Sequence, residues 1–139
     1  MRTLFDTNVI SEIRNTQGSE RVKEFARSVD DLDSFISVVT IGEIAKGIEL
    51  LPEGRRRNAL VAWLQEIEVE YGEQILPCDI EIARVWGELT GRAQRRGQTI
   101  AAADGLIAAT ALHHGLRLAT RNVRHFEVTG VSLINPWEF

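Results

Sequence analysis

Residues 100–112 contain only two polar side chains, Asp104 and Thr110. A helix that is apolar all round is buried, so this segment requires a fold that covers it on every side. Asp104 then starts in or beside the core, where a lone ionised carboxylate is very costly. A cation, an arginine or backbone N–H groups must compensate it. A competing reading starts the helix at Gly105 and makes Asp104 its N-cap. Ala101–Ala103 are good helix formers and Gly105 a poor one, which favours the longer helix.

The rest of the chain alternates short apolar runs with helical spacings. Residues 2–6 read as a strand, 8–15 as a helix, and Ser19 caps a second helix with Val22, Phe25, Ala26 and Val29 on one face. Residues 30–33 form a polar turn, 35–39 a β-branched strand, 40–51 a helix and 55–71 another. A short strand at 74–77 precedes a helix from Asp79 to about Arg96, stopped by Gly97. After the helix at 100–114, which Gly115 ends, come strands at 117–120 and 131–134 with a turn at 122–126 between them. This alternation predicts an α/β fold, a central, mostly parallel sheet covered by helices on both faces. No linker divides the chain, so the expectation is one domain over residues 1–139.

Composition narrows the function classes. The net charge is −4 and the pI about 5.4. A protein that lives by non-specific phosphate contacts is usually basic, so any nucleic-acid binding here is local. Of the 16 positive charges 14 are Arg, the residue suited to bidentate phosphate or carboxylate pairing, unless source bias accounts for it. The single cysteine, Cys78, excludes an internal disulfide and fits a reducing cytosol. No apolar run reaches the roughly 18 residues of a membrane span, and a cytoplasmic protein without membrane contact is expected.

Asp6 stands where the first strand turns into a helix. In open α/β sheets ligands bind beyond the carboxyl ends of the strands, although Asp6 or Thr7 also suits a plain N-cap. Glu43 follows the second strand in Thr40-Ile41-Gly42-Glu43, which matches a capping box with Thr40 as the cap. If the first two strands are neighbours, Asp6, Glu43 and Asp104 converge at one sheet edge. Three carboxylates there raise each other's pKa values and stay ionised together only around a cation. Oxygen donors without a Cys or His cluster point to Mg²⁺ or Mn²⁺.

At this point the chain resembles a known family along nearly its whole length. The motifs are Leu4-Phe5-Asp6-Thr7-Asn8-Val9, Ser37-Val38-Val39-Thr40-Ile41-Gly42-Glu43-Ile44, Arg95-Arg96-Gly97 with Asp104-Gly105-Leu106-Ile107-Ala108-Ala109-Thr110-Ala111, and Ala119-Thr120-Arg121-Asn122-Val123-Arg124-His125-Phe126, with Asn135-Pro136-Trp137 near the end. Together they resemble a PIN-domain toxin ribonuclease of the VapC type, FitB-like branch. The resemblance implies a three-layer α/β/α fold and a Mg²⁺- or Mn²⁺-dependent endoribonuclease. It makes Asp6, Glu43 and Asp104 the metal ligands, with Thr7, Asn8, Thr40 and Thr120 positioning ligands or water. A fourth acid is usual where this chain has Asn122, and an acid just before the Phe is common where it has His125. That departure implies one firm metal site and a weaker second one. Arg121, Arg124 and Arg96 are the candidate substrate contacts. The implied partners are an RNA substrate, a VapB- or FitA-like antitoxin that also mediates any DNA binding, and a second copy in a homodimer.

Two other readings stand beside this one. A haloacid-dehalogenase-type phosphotransferase also has an Asp after its first strand, but it wants a second Asp where this chain has Asn8. A catalytically silent module that keeps the fold for RNA or protein binding is compatible with Asn122. The remaining prominent residues read as ordinary structure: Arg55–Arg57 as a solvated turn, His113 and His114 as favourable charges at a helix C-terminus, and Trp63, Trp86 and Trp137 as core.

Overall fold

A computed structural model describes all residues from Met1 to Phe139. Strand β1 (Thr3–Phe5) lies at the centre of a five-stranded sheet and leads into α1 (Thr7–Arg14) and α2 (Glu20–Ser28). Then follow β2 (Ser34–Ser37), α3 (Val38–Glu49), α4 (Arg55–Tyr71), β3 (Ile75–Leu76) and α5 (Ile80–Arg95). The chain closes with α6 (Ala102–His114), β4 (Arg117–Ala119), α7 (Val123–Phe126) and β5 (Leu133–Ile134).

The strand order is β3-β2-β1-β4-β5 and every pairing is parallel. The chain builds outward from β1 to β3, then returns to the other side of β1 for β4. β1 is therefore the topological switch point, and ligand sites in open sheets lie beyond the carboxyl end of that point. The register pairs Leu4 with both Phe35 and Leu118, and Phe5 with Ala119.

Successive strand residues face opposite layers. Leu4 and Leu118 pack with Ile82, Leu89, Ile107, Ala108 and Phe126 on the α5–α6 side. Phe5 and Ala119 pack with Val9, Val22, Phe25, Ile44 and Ile48 on the α1–α4 side. Both faces of the sheet are thus buried, which accounts for the uninterrupted apolar strands.

Several local expectations are revised. Val38 and Val39 are helical, because Ser37 Oγ accepts the Val39 N–H at 3.0 Å and starts α3 two residues before Thr40. The Thr40–Glu43 capping box therefore does not form, and Thr40 is a fully buried residue inside the helix. Helix α6 is the longer one that the alanines favour: it begins at Ala102, with Asp104 in its first turn, which excludes the competing reading of Asp104 as the cap of a helix starting at Gly105. Residues 31–33 and 123–126, read as turns, each close into a short helix.

Gly105 sets the approach of α6 to α5. A Cβ there would lie 2.9 Å from Cδ1 and Nε1 of Trp86 and 3.2 Å from Thr90 Cγ2. The indole is a rigid plate and has no flexible end to move aside. Gly105→Ala is expected to destabilise the fold by about 1–3 kcal/mol through overpacking, visible as a lowered thermal midpoint. An unchanged midpoint would show that the two helices separate freely.

Candidate active site

The first turn after β1 gathers side chains from four segments. Asp6 caps α1, its Oδ1 accepting the Thr7 N–H at 2.8 Å. It is also a buried acid, only 5% exposed, so the capping reading holds for a residue that is at the same time a buried carboxylate. Its Oδ2 accepts the Thr120 hydroxyl at 2.8 Å and the Asn8 amide at 3.3 Å. Thr120 follows β4, and its Oγ1 in turn accepts the Asn122 N–H at 3.0 Å. Asn8 Oδ1 accepts the Arg121 N–H at 3.4 Å. The turn after β1 and the turn after β4 are thereby tied together around one carboxylate.

Thr7 connects this pair to α3. Its hydroxyl lies 2.7 Å from Glu43 Oε1 and 3.0 Å from Thr40 Oγ1. A hydroxyl has one proton, and the carboxylate is the stronger acceptor. Buried Thr40 fixes Thr7, and Thr7 fixes exposed Glu43.

The electrostatics follow from burial. Desolvation raises the Asp6 carboxyl from 3.8 to about 6, against the lowering effect of the Thr120 and Thr7 hydrogen bonds. The charges of Asp104 and Glu43 raise it further. Those two acids are thus close enough to act on Asp6 through space. Burial also raises the Asp104 carboxyl, and His125 opposes that rise. The His125 Nδ1 stands 3.8 Å from Asp104 Oδ2, a neighbour that sequence reading noted only as a missing acid.

The donor set has the chemistry of a divalent-cation site. Every donor atom is a hard oxygen, and the central carboxyl is pushed towards its neutral form by burial and like charge, which a cation would relieve. No three His, Cys, Asp or Glu side chains close around one point in this conformation. The carboxylate oxygens of Asp6, Glu43 and Asp104 are donors of the type that a hard cation takes.

The expected basic residues divide. Arg121, Asn122, Arg124, His125, Asn135 and Glu138 line a cleft of about 440 Å³. Its connection to the acids runs through Asn8 and through the His125–Asp104 contact. Arg96 is exposed at the end of α5, and no hydrogen bond or ion pair joins it to the acids. Its neighbours Arg92 and Arg95 line a different groove, with Gly87 and Gly91 on the outer face of α5. Arg57 pairs with Glu49 at 3.0 Å. At the other end of α6, burial and the His113 charge lower the His114 pKa, which weakens its expected role as a helix-end cation.

A profile of the PIN domain matches residues 3–131. The chain belongs to the PIN-domain family. Within that family it is similar to Toxin FitB of Neisseria gonorrhoeae, with 40% identity over 96% of this chain and 97% of the relative. It is also 36% identical to the VapC ribonuclease Y4jK of Sinorhizobium fredii, over 97% of each chain. A solved structure of FitAB bound to an IR36 DNA fragment superposes with a TM-score of 0.91 at 37% identity, covering 99% of this chain and 96% of that one. This PIN-domain chain is thus a VapC- and FitB-like member over nearly its whole length. No helix in it is long and apolar enough to cross a membrane.

Proposed function

We propose that this PIN-domain chain is a Mg²⁺- or Mn²⁺-dependent endoribonuclease, the toxin of a toxin–antitoxin pair. One observation carries the reading: Asp6 is buried, tied to residues 114 positions away, and loaded by the charges of two further acids. A fold does not maintain such a carboxylate for stability, because burying it among like charges is costly. Similarity to a VapC ribonuclease and to FitB supports the same conclusion.

Asp6, Glu43 and Asp104 would hold the ion. When bound, the ion supplies Lewis-acid stabilisation of charge on the scissile phosphate. The chain's own residues do the remaining work. Thr120 and Asn8 hold Asp6 in one orientation, and Thr7 with Thr40 holds Glu43. Asn122 lies in the cleft beside them and offers a neutral amide where a fourth acid would add repulsion to an anionic substrate. Arg121 and Arg124 supply local positive charge on a chain of net charge −4. The cognate partner is an antitoxin of the VapB or FitA kind, through which any DNA contact runs, and the toxin pairs with a second copy of itself.

A second reading is kept alive by Asn122 and His125, which stand where further acids would complete a two-metal centre. In that case the chain binds RNA or protein without cutting. The deciding experiment incubates a structured RNA with the wild-type chain in Mn²⁺ and in chelator. Cleavage in Mn²⁺ that stops in chelator is the expected result. Intact RNA in both conditions, with the protein folded, would establish the silent module.

A further inference from the structure

Four arginines stack on aromatic rings: Arg2 on Phe35, Arg14 on Trp63, Arg117 on Phe25 and Arg121 on Trp137. Among them, Arg121 lines the cleft beside the acids. Its guanidinium carbon lies 5.0 Å from the centre of the Trp137 ring. Its backbone N–H is held by Asn8, whose amide also touches Asp6. Trp137 is itself anchored, since Asn135 Oδ1 accepts its N–H at 3.0 Å and starts the 3-10 turn Pro136–Glu138. Arg121 is thus fixed at both ends, by an asparagine of the acidic centre and by an indole near the C-terminus.

The charge of Arg121 is not spent within the protein. It takes part in none of the ion pairs of the molecule, although Glu138 lines the same cleft. A guanidinium seated over a ring keeps a planar fork of five N–H donors that matches a phosphate, and none of those of Arg121 is engaged by an acid of the chain. A side chain already held in place loses less freedom when it binds.

We propose that Trp137 is a positioning residue for RNA, a platform that holds the Arg121 guanidinium ready for a backbone phosphate next to the scissile one. This rests on the ribonuclease reading above and adds to it the device that orients the strand. The role of Trp137 runs through Arg121, so the two residues act as one unit.

A double-mutant cycle tests this, read as binding of a labelled single-stranded RNA in Mg²⁺ by Asp6→Asn protein. Arg121→Ala is expected to weaken binding by about tenfold and to flatten the salt dependence by about one phosphate contact. Trp137→Leu is expected to weaken it about threefold when Arg121 is present and not at all when Arg121 is already alanine. Trp137→Phe, which keeps a ring, retains most of the affinity and serves as the readout should Trp137→Leu fold poorly. Equal losses from Trp137→Leu in both backgrounds, or unchanged binding in every variant, would overturn the proposal while leaving the ribonuclease reading intact. Failure of every protein to bind RNA would remove both.

Discussion

Asp6→Asn is expected to cut RNA at least about 100-fold more slowly than wild type in Mn²⁺, with its fold preserved. Replacing residues that merely support metal ligands already costs about 10–100-fold, and on the proposed function Asp6 is a ligand itself. The amide oxygen keeps the Thr7 N–H bond that caps α1, while the amide NH₂ takes the place of the oxygen that accepted from Thr120 and Asn8, and the Thr120 hydroxyl turns to accept from it. What is lost is the charge that balances a cation. Thr7→Val should fall between the two, about 10–100-fold slower, because it releases Glu43 without removing an acid. Steady-state cleavage with purified proteins and a circular dichroism check would measure both. Wild-type rates in Asp6→Asn would dismiss the carboxylate centre.

The second large effect is on stability against pH in chelator. Asp6 titrates near 6 in the folded chain and near its ordinary 3.8 when unfolded. The native state therefore holds the proton more tightly, and stability declines as pH rises between about 4 and 6. The rise in pKa corresponds to a loss of about 3 kcal/mol once the group is ionised. Metal-free protein is expected to melt lower at pH 7 than at pH 5, and Asp6→Asn to lack most of that difference. Asp104→Asn should melt no lower than wild type under the same conditions, because burial raises that carboxyl as well. Mn²⁺ should restore the midpoint of wild type at pH 7 by binding the native state alone. A midpoint that climbs from pH 5 to pH 7 in wild type and Asp6→Asn alike would contradict the buried-charge argument.

Much of this architecture was legible in the residues. Asp79 and Ser19 were readable as caps, and each accepts the N–H three residues on. The apolar helix at 102–114 demanded cover and receives it from the sheet and α5. Asp6 was harder, because a capping aspartate and a buried aspartate look the same in sequence, and this residue is both. Thr40 was misassigned for a physical reason: valines at 38 and 39 prefer strands, but a serine just before them supplies the helix start. The approach of His125 to Asp104 and the seat of Arg121 on Trp137 depend on which turns meet across the sheet. Local patterns do not specify that meeting. The one available hint was the presence of Asn135-Pro136-Trp137 among the family-like motifs, and its tryptophan lies against a residue sixteen positions earlier.

The hydroxyl of Thr120 reaches back to Asp6 across 114 positions of chain. During synthesis the acid leaves the ribosome early and waits for a partner that emerges near the end. Until β4 arrives, β1 lacks its neighbour on that side, and the carboxylate remains open to solvent. A chain that ends before Thr120 therefore lacks the bond that closes over this carboxylate.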